Sequence, residues 1–155
     1  MTWEPSNGVM ATSWHPTEEK LAMNFESDIW FINNPLTDPK GIKFAGEKHL
    51  EWVGIFSPNG NWISYNIDRS GIGRQVVHSL NDTNHLYHVG SNKTVNGLWS
   101  PKGNALYFSQ KFGTFFRAVF DPDSSGDHVG KNEVIFYNRC INNEGTLYDS
   151  HPPEA

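Results

Sequence analysis

The residues with the most chemistry to offer fall in three short stretches of this 155-residue chain. Glu47, His49, Glu51 and Trp52 form the first, Asp68, Arg69 and Ser70 the second, and Lys111 with Phe112 the third. Brought together, such carboxylate, imidazole, cationic and aromatic groups would grip a polar ligand or a peptide. Left apart they are solvated loops, with Asp68 or Glu51 paired to Arg69 for less than about 1 kcal/mol. Other chemistry finds less support. No Gly-x-Ser-x-Gly elbow is present, so a hydrolase of that type has no nucleophile here. Gly71-Ile72-Gly73 lacks both a third glycine and a following helix, which a phosphate cradle needs. His85 and His88 resemble a metal pair, yet three apart on a strand they point to opposite faces. His15 reads as a turn residue making local hydrogen bonds. The single Cys140 excludes an internal disulfide and reads as an inert thiol. Asn81-Asp82-Thr83 and Asn92-Lys93-Thr94 are glycosylation sequons that matter only in a secreted chain. No catalytic residue, cofactor or metal is assigned from these residues.

What would position the three stretches is a repeat. Ile55-Phe56-Ser57-Pro58-Asn59-Gly60-Asn61-Trp62-Ile63-Ser64-Tyr65-Asn66 reads as strand, tight turn, strand. Leu98-Trp99-Ser100-Pro101-Lys102-Gly103-Asn104-Ala105-Leu106-Tyr107-Phe108 repeats it, and Ser13-Trp14-His15-Pro16 through Leu21-Ala22-Met23 is a worn first copy. The aromatic two places before the proline is Trp14, Phe56 or Trp99. Five and seven places after it stand Leu21 and Met23, Ile63 and Tyr65, or Leu106 and Phe108. Those two positions share one face of a strand, because side chains alternate with period two. Proline suits the turn but cannot donate to a ladder, and Gly60 and Gly103 supply positive φ. Glu18 replaces that glycine in the first copy, so its turn must differ. A fixed period near 40 residues is the signature of a repeat architecture.

Composition agrees with sheet. Aromatic residues make up 14% and charged residues only 19%, an all-β profile. The net charge of -5 argues against a nucleic-acid partner, which would want a basic stripe. No apolar run approaches the ~18 residues of a membrane helix, and no membrane partner is expected. The start of the chain has neither the basic head nor the apolar middle of a secretory signal. Its compartment is therefore cytoplasmic by default, or periplasmic if the chain is a processed piece of something longer.

The pattern aromatic-Ser-Pro-x-Gly-x-x-apolar-x-aromatic resembles the TolB-like group of β-propeller repeats, and Asp68-Arg69-Ser70-Gly71 is similar to a loop common in that group. The Trp-Asp dipeptide of WD repeats and the Gly-Gly of kelch repeats are absent. The resemblance implies three four-stranded blades in one domain: blade one at about 8–48, blade two at 49–92 and blade three at 93–138, with a tail over 139–155. The expected strands are 8–14, 21–25, 29–32 and 42–44, then 52–57, 62–67, 75–80 and 86–89, then 95–100, 105–110, 115–120 and 133–137. Residues 121–131 are expected as a surface loop. Gly54 and Gly97 would open the inner strands to close backbone packing.

Three blades do not close a ring, for which about four to eight are needed. An arc leaves an apolar face bare at each end. The expectation is a homodimer whose two arcs complete a six-bladed ring, the blade number the resemblance also implies. In a propeller the joints between blades and the turns between second and third strands share one rim at the channel mouth. That rim carries the nine residues named first, on loops set on a rigid scaffold. The expected role is a non-enzymatic scaffold that recognises a protein or peptide there. The alternative is an enzyme-associated propeller, as a piece of a larger TolB-like or prolyl-oligopeptidase-like protein or as a glycosidase or lyase. A glycosidase would need two carboxylates roughly 5–9 Å apart.

Overall fold

A computed structural model of the chain describes residues 8–46, 49–69, 71–90, 94–110, 114–121, 124 and 128–137, with side chains at all of these but 95, 96, 110, 136 and 137. Twelve strands follow one another: β1 (Met10–Trp14), β2 (Lys20–Phe25), β3 (Asp28–Asn33), β4 (Lys40–Ala45), β5 (Leu50–Phe56), β6 (Trp62–Arg69), β7 (Ile72–Ser79), β8 (Leu86–Val89), β9 (Thr94–Trp99), β10 (Ala105–Gln110), β11 (Thr114–Phe120) and β12 (Val129–Tyr137). They form three antiparallel four-stranded sheets in chain order: β1 to β4, β5 to β8 and β9 to β12. The architecture is three blades of a partial β-propeller. No helix among the described residues is long and apolar enough to cross a membrane.

Strand limits agree with the repeat except at a few ends. The last strand begins at Val129 rather than Glu133, so the loop expected over 121–131 is shorter. Phe120 pairs with Val129, and the Asp121 amide donates to the His128 carbonyl at 2.9 Å, extending the ladder past an irregularity at Ala118/Phe120. Strand β7 likewise starts at Ile72, because Arg69 pairs with Ile72 and Asp68 with Gly73.

The turns repeat as hydrogen-bonded units. The amides of His15, Ser57 and Ser100 donate to the carbonyls of Lys20, Trp62 and Ala105 at 2.8–2.9 Å. Gly60 and Gly103, at φ 73° and 72°, close the second and third turns by donating to Ser57 and Ser100. The first turn does differ. There His15 Nδ1 accepts from the amides of Thr17 (3.3 Å) and Glu18 (3.0 Å), replacing the missing glycine contact. With Nδ1 accepting, Nε2 carries the proton and donates to the Gly60 carbonyl at 2.9 Å. The local role expected for His15 is present, and the same ring also pins turn one onto turn two. A β-carbon at Gly60 would sit 2.6 Å from the His15 ring, so glycine is also required there for the approach of the neighbouring blade.

Two cores lie between blades. Ala22, Ile29 and Phe31 of blade one pack on Phe56, Ile63, Tyr65, Ile67 and Val76 of blade two. Trp62, Val77 and Val89 on the other face of blade two pack on Trp99, Leu106, Phe108, Ala118 and Phe120 of blade three. The apolar positions of the repeat therefore face the preceding blade. Gly54 and Gly97 permit the approach as expected. A β-carbon at Gly54 would meet Ile29 Cγ2 at 3.2 Å, and one at Gly97 would meet Gln75 Cδ at 2.5 Å.

Candidate functional site

Each innermost strand carries one extra residue relative to its neighbour. The ladder skips between Ala11 and Ser13 in β1, between Trp52 and Ile55 in β5, and between Val95 and Leu98 in β9. A bulge of this kind bends the strand, re-aims side chains and is common beside functional sites. In β5 it holds Val53 at φ 58°, an unfavourable conformation for a β-branched residue. The clamp on this bulge comes from blade one. Asn24 Oδ1 accepts from the Val53 amide at 2.8 Å, and Asn24 Nδ2 donates to the Glu51 carbonyl at 2.9 Å. The Glu51 amide donates to the Ser27 carbonyl at 2.8 Å, so the β2–β3 turn and β5 are joined backbone to backbone.

The bulge decides where Glu51 and Trp52 point. Glu51 pairs with Ile67 and Phe56 with Ile63, so both face blade one, whereas Trp52 pairs with Asn66 and faces blade three. Glu51 is only 5% exposed, and its Oε2 has no hydrogen-bond partner among the described residues. Burial pushes its carboxyl up to about 7. The Asp28 charge pushes the same way, and Lys43 and Arg69 offset part of the shift. Asp28 itself is held by Lys43 at 2.7 Å. Burial also raises the Tyr65 phenol, with the Glu51 charge adding to it, while the phenol oxygen lies 3.0 Å from His78 Nδ1.

A cleft of about 870 Å³ opens at this place, lined by Gly8, Met10, Asn24, Glu26, Ser27, Leu50, Glu51 and Trp52. It sits on the rim formed by the β2–β3 turn and the β4–β5 joint, where the blades' inner strands meet. Glu26 and Ser27 both adopt positive φ in that tight turn.

Of the nine rim residues, Glu47, Ser70, Lys111 and Phe112 lie outside the described residues. Glu51 and Trp52 both line the cleft, Trp52 with its indole on the far face of the strand. His49 is half-buried in the joint just before β5, and Arg69 is exposed at the end of β6. Asp68 pairs with Leu50 and Gly73, on the face opposite Glu51. Among the described residues neither Asp68 nor Glu51 forms an ion pair with Arg69, because Asp68 and Arg69 alternate across the strand and the Glu51 carboxyl is enclosed. The same register keeps Glu51 and Asp68 from acting as a facing carboxylate pair.

The sequence reading missed Asn24, Glu26, Ser27, Met10 and Leu50. The signal was available for the turn, since Glu26-Ser27 stands ten and eleven places after Pro16, as Asp68-Arg69 does after Pro58. Asn24 also recurs as Asn66, eight residues after each proline. The two behave differently: Asn66 is fully buried with neither amide atom partnered among the described residues. Between blades two and three Gln75 takes over, its Oε1 accepting from the Gly97 amide at 3.0 Å and its backbone N–H donating to Thr94 Oγ1 at 2.8 Å. Elsewhere, His85 Nδ1 lies 3.6 Å from Asp82, and burial together with Arg74 and Arg69 pulls the His88 imidazole down. Among the described residues no three metal-ligating side chains come together.

No family model matches the chain, and no curated protein does. Solved structures do. A candidate TolB from Agrobacterium tumefaciens superimposes with a TM-score of 0.63 at 15% identity, over 84% of this chain and 50% of that one. The β-propeller domain of Cps50 (Swd1) from Myceliophteria thermophila gives 0.63 at 10% identity, over 83% and 45%. A candidate 6-phosphogluconolactonase from Bacteroides uniformis gives 0.54 at 18% identity, over 88% and 46%. At these identities the likeness is one of fold: a β-propeller, the fold also of the TolB, Swd1 and lactonase-type structures. The chain spans about half the length of these proteins, or less.

Proposed function

We propose that the chain is a non-enzymatic binding module, a half-ring that pairs with a second copy into a six-bladed propeller and presents its channel-mouth rim to a protein or peptide. One observation carries this reading. The aromatic that leads each repeat faces the preceding blade, and it is 5% exposed in Phe56, 6% in Trp99 and 48% in Trp14, in the first blade described. Trp14 continues into Leu21, Met23, Phe25 and Trp30 on the same face, by the pairing of β1 with β2 and β2 with β3. At the far end, the outward face of blade three carries exposed Leu98, Tyr107 and Phe115 around the Arg117–Glu133 ion pair at 3.1 Å. Each end offers what the other lacks, a bare leading face and a bare trailing face. Head-to-tail pairing of two three-blade arcs uses both ends and leaves none over.

The test is the mass in solution, by sedimentation equilibrium over the micromolar range. A particle of twice the chain mass supports the ring, and a compact, stable monomer overturns it. A second reading is favoured by the length comparison: further blades of a longer chain cover the same two faces. Under that reading the isolated chain aggregates without a defined stoichiometry. An enzymatic role for the rim has less to stand on, since Glu51 and Asp68 face opposite ways.

A further inference from the structure

The cleft beside Glu51 has features that the scaffold does not require. Glu51, whose carboxyl is almost wholly enclosed with one oxygen unpartnered, is one of its lining residues. An unmet acceptor of this kind costs free energy in every folded molecule unless something meets it. The groups that could meet it internally are committed elsewhere. Lys43 is bound to Asp28, and the Asn24 amide is spent on the β5 backbone. Arg69 forms no ion pair with Glu51 among the described residues. Glu26 lines the same cleft, so its charged lining is acidic, while Met10 supplies an apolar wall.

We infer that this cleft receives a basic side chain of a peptide, with the protonated nitrogen of a lysine or arginine on Glu51 and its aliphatic stem along Met10. The inference rests on the rim-binding reading above and names the ligand chemistry for it. It does not rest on ring closure, because every lining residue belongs to blades one and two of a single chain. A cation on Glu51 balances the acceptor, and burial strengthens the pairing relative to an exposed one. Asp28, Lys43 and Arg69, from β3, β4 and β6, are the charged groups around Glu51. Their contributions oppose one another, so the enclosed carboxyl is left as the feature that selects charge.

The experiment uses the whole chain, labelled with ¹³C at glutamate carboxyls, and capped amino acids as probes: Nα-acetyl-lysine methylamide, Nα-acetyl-arginine methylamide and the neutral Nα-acetyl-norleucine methylamide. The expected result is saturable binding of the basic probes in the millimolar range. Their binding lowers the titration midpoint of the Glu51 carboxyl by about one unit or more, since a cation favours the charged form. Glu51→Gln, which copies the shape of the protonated acid, should weaken binding by roughly tenfold or more. Equal binding of the norleucine probe, an unmoved Glu51 midpoint or undiminished binding by Glu51→Gln would each overturn the inference. So would the absence of saturable binding by the lysine and arginine probes. n-Butylamine separates a peptide side chain from any free amine: binding as tight as the capped lysine removes the peptide from the proposal. A monomeric chain in sedimentation defeats ring closure and leaves this test unaffected.

Discussion

Replacing Trp14 with serine isolates the bare leading face, because the same position is buried in the other two blades. A tryptophan buries up to about 250 Å². The difference between 48% exposure at Trp14 and 6% at Trp99 leaves about 100 Å² of mostly apolar surface in water. At ~25 cal/mol per Å², covering it is worth about 2.5 kcal/mol. A two-arc ring has two equivalent joints, so Trp14→Ser should weaken dimerisation by about 5 kcal/mol, roughly 10³–10⁴-fold in Kd. Folding of the single chain should lose less than Trp99→Ser costs it, since about half of the Trp14 side chain is bare. Trp99→Ser makes the contrast. It empties a buried site inside the chain, removes the bond from Trp99 Nε1 to the Ile55 carbonyl at 3.1 Å, and should cost about 3–5 kcal/mol of folding stability. Sedimentation equilibrium reads the first effect and urea unfolding below the dissociation concentration reads the second. The reasoning fails if Trp14→Ser leaves Kd within about threefold of the parent, or if it unfolds the monomer as severely as Trp99→Ser does.

Three further outcomes can be checked. Asn24→Ala removes two bonds that clamp the β5 bulge and should cost about 2–3 kcal/mol in urea unfolding. Asn66→Ala, at the same place in the repeat but without such bonds, should cost clearly less. Glu51 makes stability fall as pH rises from about 4.5 to about 7: in that window the folded chain keeps a proton that the unfolded chain has released. Because the cleft opens to solvent, the loss amounts to about 1–2 kcal/mol, and denaturation of Glu51→Gln across the window should show a flatter profile. Gly97→Ala forces a methyl against the Gln75 amide, 2.5 Å from its Cδ, and breaks the bond that amide makes to the Gly97 N–H. Thermal unfolding should register a loss of about 1–3 kcal/mol.

The sequence alone determined the number of blades, their strand order and the chemistry of two of the turns. Proline and glycine act on their own neighbours, and the aromatic and aliphatic positions around them need only period-two alternation to be read. Trp14, Phe56 and Trp99 could therefore be matched before any contact was known, and the bare end of blade one followed from counting. The site was legible only as a rim. Counting back from Phe56 by alternation puts Trp52 toward blade one and Glu51 on the opposite face. The extra residue between Trp52 and Ile55 reverses both, so the carboxyl enters the interface between blades one and two and the indole turns away. That reversal depends on Asn24, a residue 27 positions earlier that captures the bulge from the neighbouring sheet. Local preference cannot place a bulge held from another blade, and the burial that pushes Glu51 up to about 7 exists only once the two blades have closed on it.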